Sequence, residues 1–244
     1  MVATKYLKAT RQPRYSLTLA LPLLLLYEAL AAVMSQSDAA SVRNGADVLL
    51  KTAFAALGGR HGLTVFGVLL LGVGGWLVWR DSRGHSRSFN PSYLGFMLAE
   101  SVVYAVVLGF VVSALTTLLL SGQLAVVPQG SFGELSLGSQ LVVSLGAGLY
   151  EELLFRVLLV TAFVALGMWL GWKRPVAVGV AIVASAVVFS AFHYVGPFGD
   201  PLTLPSFAFR AIAGLVLSGL YVARGFGIVA WSHALYDVGI AVLA

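Results

Sequence analysis

Six side chains able to move protons or hold charge stand inside long apolar runs of this sequence: Glu151, Glu152 and Arg156, then His193, then His233 and Asp237. Carboxylates and imidazoles serve as general acids and bases, and both ligate metals. Two chemistries are therefore open from the residue types alone. One is activation of a water by a carboxylate and an imidazole. The other is a catalytic zinc held by Glu151, His193, His233 and Asp237, because three protein ligands and a water make such a site. No His-Glu-x-x-His pattern is present to favour zinc.

Spacing narrows the roles. In Tyr150-Glu151-Glu152-Leu153-Leu154-Phe155-Arg156, three charges lie between the uncharged runs Gln140 to Leu149 and Val157 to Trp172. A charge buried in hydrocarbon costs at least ~2.5–3.5 kcal/mol, so three together need a reason. On a helix Glu152 and Arg156 are i, i+4 and can pair. Glu151 is turned away by about 100° and has no arginine at i+4, which leaves it free to work elsewhere. Phe189 and His193 repeat the i, i+4 spacing, so a ring can fix the imidazole rotamer, and His233 and Asp237 repeat it again. Taken singly, these features also fit a structural ion pair and interfacial histidines. Taken together, three helices carry titratable groups into lipid, where such groups face the bundle interior and find partners. One shared cavity satisfies them all. His61 and His85 fall in expected loops.

The elements that must position these residues follow from hydropathy. The 244 residues are 59% hydrophobic and only 10% charged, with a mean hydropathy of +0.92, whereas soluble domains carry about 25% charged residues. The reading is an all-α, polytopic transmembrane helical bundle with no separate soluble domain. It is one transmembrane domain over 1–244, with the three motifs in 140–244. Apolar segments lie at 16–34, 63–79, 92–120, 139–172, 176–194, 206–223 and 226–243, each close to the ~20 residues needed to span or longer. The long 139–172 segment is expected to tilt, break near Gly146-Ala147-Gly148, or project beyond the bilayer. Residues 35–62 are mixed and polar, and Val48 to Leu57 reads as an interfacial amphipathic helix. If 45–58 also spans, the count becomes eight. Basic residues at the start, in Arg80 to Arg87, at Lys173-Arg174 and at Arg224 fall on one side with seven spans, as the positive-inside rule expects. The basic start followed by an apolar run resembles a signal peptide, but the run has spanning length and reads as a retained helix. The net charge of +5 belongs to membrane orientation and not to nucleic-acid binding. With no cysteine, thiolate chemistry and disulfides are excluded.

The set Glu151-Glu152-x-x-x-Arg156, Phe189-x-x-x-His193 and His233-x-x-x-Asp237 resembles the three-motif signature of the CAAX protease and bacteriocin-processing family, which includes the type II CAAX prenyl endopeptidases. The resemblance covers about 140–244. It implies a metal-independent, glutamate-type intramembrane endopeptidase that acts on a membrane-anchored protein or peptide and needs no cofactor. Carried onto this chain, it implies Glu151 as general base, His193 sharing the water, and Glu152 with Arg156 holding Glu151 in position. His233 would support the oxyanion. The family often has Asn where this chain has Asp237. An ionised Asp would repel an oxyanion, so Asp237 must carry a proton or orient His233.

Two other functions remain open from the residues: a non-catalytic member of the same fold that binds a peptide or partner, and a proton-coupled transporter. The absence of internal repeats weighs against the transporter. Glu28 and Glu100 are expected to make interhelical hydrogen bonds, Arg210 to anchor at the interface, and Gly214 and Gly219 to allow close helix approach. Trp76, Trp79, Trp169, Trp172 and Trp231 read as an aromatic belt. The Pro197 to Pro201 segment reads as a lid beside His193 or a plain turn.

Overall fold

The computed structural model describes residues 2–34, 43–84, 89–120, 132–196 and 199–243. Asp38, His85, Arg87, Pro128 and the Pro197-Phe198 part of the expected lid lie outside the described residues, as does most of the Gly/Ser-rich 121–138 loop. Among the described residues the chain is helical and has no strand. The helices are α1 (Val2–Thr10), α2 (Pro13–Met34), α3 (Gly45–Gly58), α4 (Gly62–Gly84) and α5 (Ser92–Leu119). Then come α6 (Leu137–Gly146), a π-helical segment (Ala147–Val160), α7 (Thr161–Trp169), α8 (Arg174–Phe192), α9 (Leu204–Arg224) and α10 (Phe226–Leu243).

Seven stretches are long and apolar enough to cross a membrane, in the places that hydropathy indicates. Many large apolar side chains point outward on them, including Leu25, Val68, Phe110, Leu118 and Val183. In water such a surface would be a liability. Against acyl chains it costs nothing, and the bilayer accounts for it.

The α3 region departs from the sequence reading. Its 14 residues reach about 21 Å, short of the ~30 Å hydrocarbon core, so α3 makes no eighth span. The chain turns back through Gly59–His61, and Phe54 of α3 meets Phe66 of α4 with ring centroids 5.2 Å apart. Gly62 sits so close to the Phe54 carbonyl that a Cβ there would collide with it. Nor does α3 simply lie on the surface as an interfacial helix. Asn44, Ala46 and Asp47 at its start are buried in the bundle, while Leu57 near its end is exposed.

Helix α10 is the hub and touches α2, α5, α6, the π segment and α9. It enters from α9 through the single residue Gly225, whose φ of 87° suits glycine. Gly227 lies directly on the α2 backbone, and its N–H donates to Ser16 Oγ at 2.7 Å. One end of the bundle gathers the starts of α2, α5 and α10 and the ends of α4 and α9. There Arg14 pairs with Asp81, Tyr15 stacks on Phe89, and Arg224 pairs with Glu100. The core runs from Leu23 and Tyr27 of α2 through Val142 and Tyr150 to Ala230 and Ala234 of α10.

Smaller expectations divide. Glu28 accepts from Lys51 Nζ at 3.0 Å and Tyr150 OH at 2.9 Å, and so does make interhelical bonds. Gly214 packs on the Ala186 backbone of α8, whereas a side chain at Gly219 would meet nothing within 4 Å, so close approach explains the first glycine and not the second. Trp76, Trp79, Trp169 and Trp172 are exposed as a belt requires. Trp231 is not part of the belt. It packs inside between α2 and α5, and its indole N–H donates to the Leu19 carbonyl at 2.7 Å.

Candidate active site

The 139–172 apolar segment is one continuous rod that changes winding where glycines were expected to break it. α6 ends at Gly146, and Ala147–Val160 winds as a π-helix, a form that is rare in long runs and recurs at functional sites. Close packing at both glycines accompanies the change. A Cβ on Gly146 would stand 2.5 Å from Asn44 Cβ, and one on Gly148 would run into the Ala230 carbonyl of α10. The segment is thereby pressed between α3 and α10, with Glu151, Glu152, Phe155 and Arg156 all buried.

The i, i+4 pair forms: Arg156 Nη1 lies 3.0 Å from Glu152 Oε1, with both side chains fully buried. The guanidinium also sits 4.3 Å from the centre of the Phe189 ring, a cation–π contact that partly replaces lost hydration. Phe189 is the common wall of the site. Its ring packs edge-on to His193 at 4.8 Å, to Phe155 at 5.3 Å and to His233 at 6.1 Å. The expected Phe189–His193 contact is therefore present, and the same ring reaches the second histidine.

Each imidazole is oriented by one ring nitrogen. His193, which ends α8, sets Nδ1 2.8 Å from the Phe189 carbonyl. Nδ1 must then donate, which leaves the Nε2 lone pair free. That Nε2 lies 3.9 Å from Glu151 Oε2. His233 sets Nδ1 2.7 Å from Glu152 Oε1, and its Nε2 lies 3.5 Å from Asp237 Oδ2. Glu152 thus serves two partners, Arg156 on its own helix and His233 on α10.

The structure brings all six sequence-identified residues together: Glu151, Glu152 and Arg156 on the π segment, His193 at the end of α8, and His233 and Asp237 on α10. It also supplies two neighbours that sequence reading did not place there. Arg210, expected as an interfacial anchor, donates to Tyr194 OH at 2.9 Å and bonds Ser206 and Asp200, bracing the loop after His193. The Asp200 N–H in turn donates to the His193 carbonyl at 2.9 Å. The second neighbour is Asn44, whose Nδ2 donates to Glu151 Oε1 at 2.8 Å. Its only sequence signal is that of a helix cap before Gly45, which says nothing about a partner 107 residues away.

Among the described residues several buried polar atoms in this site have no hydrogen-bond partner: Glu151 Oε2, Glu152 Oε2, and Nε, Nη1 and Nη2 of Arg156. The 3.0 Å Arg156–Glu152 approach is an ion pair that is out of line for a hydrogen bond. Buried polar groups are nearly always satisfied, and exceptions mark sites that take up water or a ligand. No group of three or more His, Asp or Glu side chains among the described residues is disposed to hold a metal ion.

Residues 133–239 match a family model described as type II CAAX prenyl endopeptidase Rce1-like, a stretch that contains all three motifs. Over these residues the chain is similar to the Rce1-like proteins of the CAAX protease family. Comparison with curated proteins and with solved structures gives no match.

Proposed function

We propose that the chain is a glutamate-type intramembrane endopeptidase that hydrolyses a peptide bond of a membrane-associated polypeptide without a metal. The observation that carries this reading is the unpaired Glu151 Oε2 facing the lone pair of His193 Nε2 across 3.9 Å. The gap is too long for a direct hydrogen bond and within about 0.5 Å of what one bridging water spans. A water there donates one hydrogen to each acceptor and keeps a lone pair for attack. Glu151 takes the proton as the water oxygen adds to the substrate carbonyl. The same proton then passes to the leaving amine as the C–N bond breaks, so one water is consumed and an acid and an amine are released.

The oxyanion falls to the other half of the site. A carboxylate near each ring nitrogen, Glu152 at Nδ1 and Asp237 at Nε2, suits a His233 ring that carries hydrogen on both. Such a ring can turn its Nε2–H from Asp237 to the developing oxyanion, a contribution worth several kcal/mol where the donor is preorganised. Asp237 then orients His233 and does not itself face the oxyanion. Arg156 offsets the negative charge that Glu152 brings.

The family description supports a prenylated C-terminal peptide as the first substrate to try. The test is hydrolysis of an internally quenched farnesylated peptide by the purified protein, set beside Glu151→Gln and His193→Ala. Activity in the wild type and its loss in both variants is the expected result. Cleavage that survives Glu151→Gln would refute the reading. Activity that is lost with 1,10-phenanthroline and returns with added zinc would replace the water mechanism with a metal one.

A further inference from the structure

The family match begins at residue 133, yet a side chain from the N-terminal part of the chain touches the proposed base. Asn44 is 2% exposed and stands immediately before α3. Its Oδ1 accepts from the Ala46 N–H at 2.9 Å, capping the helix. This bond settles which end of the amide is oxygen, so the NH2 group is the end that faces Glu151 Oε1 at 2.8 Å.

The start of α3 is held firmly enough to make that contact a fixed one. Asp47 is fully buried, accepts from Tyr27 OH at 2.6 Å, and pairs with Arg43 at 2.9 Å and Lys51 at 2.8 Å. Arg43 and Lys51 both reach across to Glu28 of α2. Gly45 lies against the Phe192 ring, next to His193 in the chain, and Gly146 leaves room for Asn44 and Tyr27. The first turn of α3 is therefore bolted to α2, α8 and the π segment around one amide.

We infer that Asn44 is a positioning residue for Glu151, and that the α3 start completes the active site from outside the family-matched domain. The inference rests on the reading of Glu151 as the base. Of the two carboxylate oxygens, Asn44 occupies Oε1 and leaves Oε2 as the one turned to His193. Without the amide, the carboxylate is free to rotate and lose the aim that water activation requires.

Capping and positioning separate experimentally, because Ser and Asp both cap helices about as well as Asn. Asn44→Ser retains the cap and cannot reach Glu151. Asn44→Asp retains the cap and sets a second carboxylate against it. Hydrolysis of the quenched farnesylated peptide, thermal unfolding and the pH–rate profile are measured for both, with Glu151→Gln and Asp47→Asn alongside. Expected for Asn44→Ser is a kcat lowered about 10- to 100-fold, the worth of a hydrogen bond to a charged group, with KM within about twofold and the melting temperature nearly unchanged. Asn44→Asp falls further, and the acidic limb of its pH–rate profile differs from wild type. Asp47→Asn lowers the melting temperature and leaves that limb in place. If both Asn44 variants keep wild-type kcat while Glu151→Gln is inactive, the positioning role is refuted and the proposed base stands. A change in KM alone, or unfolding of both capped variants, also refutes it. Activity in Glu151→Gln removes the base and this inference together.

Discussion

Two glutamate–arginine nodes in this bundle, one part-buried and one fully buried, are built from the same ingredients and finished differently. At the end where α1, α5 and α9 meet, Glu100 is fully engaged. Its Oε1 accepts from Arg224 Nε at 2.5 Å, and its Oε2 accepts from Arg224 Nη2 and Tyr6 OH, each at 2.7 Å. Arg224 Nη2 also donates to Thr10. Burial, followed by the Glu100 carboxylate, holds the Tyr6 hydroxyl well above its ordinary range, so it stays a donor. At the motif, Glu151 and Glu152 each keep one oxygen unbonded, and Arg156 makes one misaligned ion pair. A fork-to-fork arginine pair with both carboxylate oxygens bonded is a strut. Charges held buried with spare valences are open to water or a ligand, and they mark a candidate site more sharply than burial does.

The comparison can be broken or sharpened. The largest effect is expected at the site: Glu151→Gln should cut hydrolysis about a thousandfold, in the range of a lost general base, while melting stays near wild type. A variant that unfolds instead would make Glu151 a strut like Glu100. Next, Arg224→Ala strands Glu100 and should cost about 3 kcal/mol of stability, read as a lower melting temperature in detergent, with kcat per folded molecule unchanged. Loss of kcat without loss of stability would reverse the assignment of that node. Gly148→Val forces a side chain against the Ala230 carbonyl and should cost about 1–3 kcal/mol. It should also lower kcat, since the π segment and α10 carry opposite halves of the site. The smallest effect is at Glu28, whose side chain is 39% exposed within its pairs. Glu28→Gln should change stability by about 1 kcal/mol or less. A large loss of kcat there would show that the α3 anchor reaches the chemistry through Arg43 and Lys51.

Much of this was legible beforehand because it depends on near neighbours in the chain. Apolar length set the seven spans, and i, i+4 spacing set Glu152 with Arg156 and Phe189 with His193. What escaped was long-range. Trp231 resembled a belt residue because span-end position is all hydropathy reports, and only the α2–α10 packing shows its N–H going to Leu19. Val48 to Leu57 reads as interfacial because the sequence around it is mixed and polar, and its exposed residues agree. What the sequence does not show is that its Lys51 pairs with Glu28 of α2 at 3.0 Å and with Asp47 at 2.8 Å.

The amino-acid order alone determined that this chain is a membrane bundle with acid, base and cation delivered by three apolar helices, since hydropathy and helical period are written locally. Only the tertiary structure decided which carboxylate oxygen stays open, that Glu152 serves His233 as well as Arg156, and that Asn44 reaches Glu151. Those contacts join residues 81 and 107 positions apart, and their geometry is set by how close α3 and α10 can press against Gly146 and Gly148.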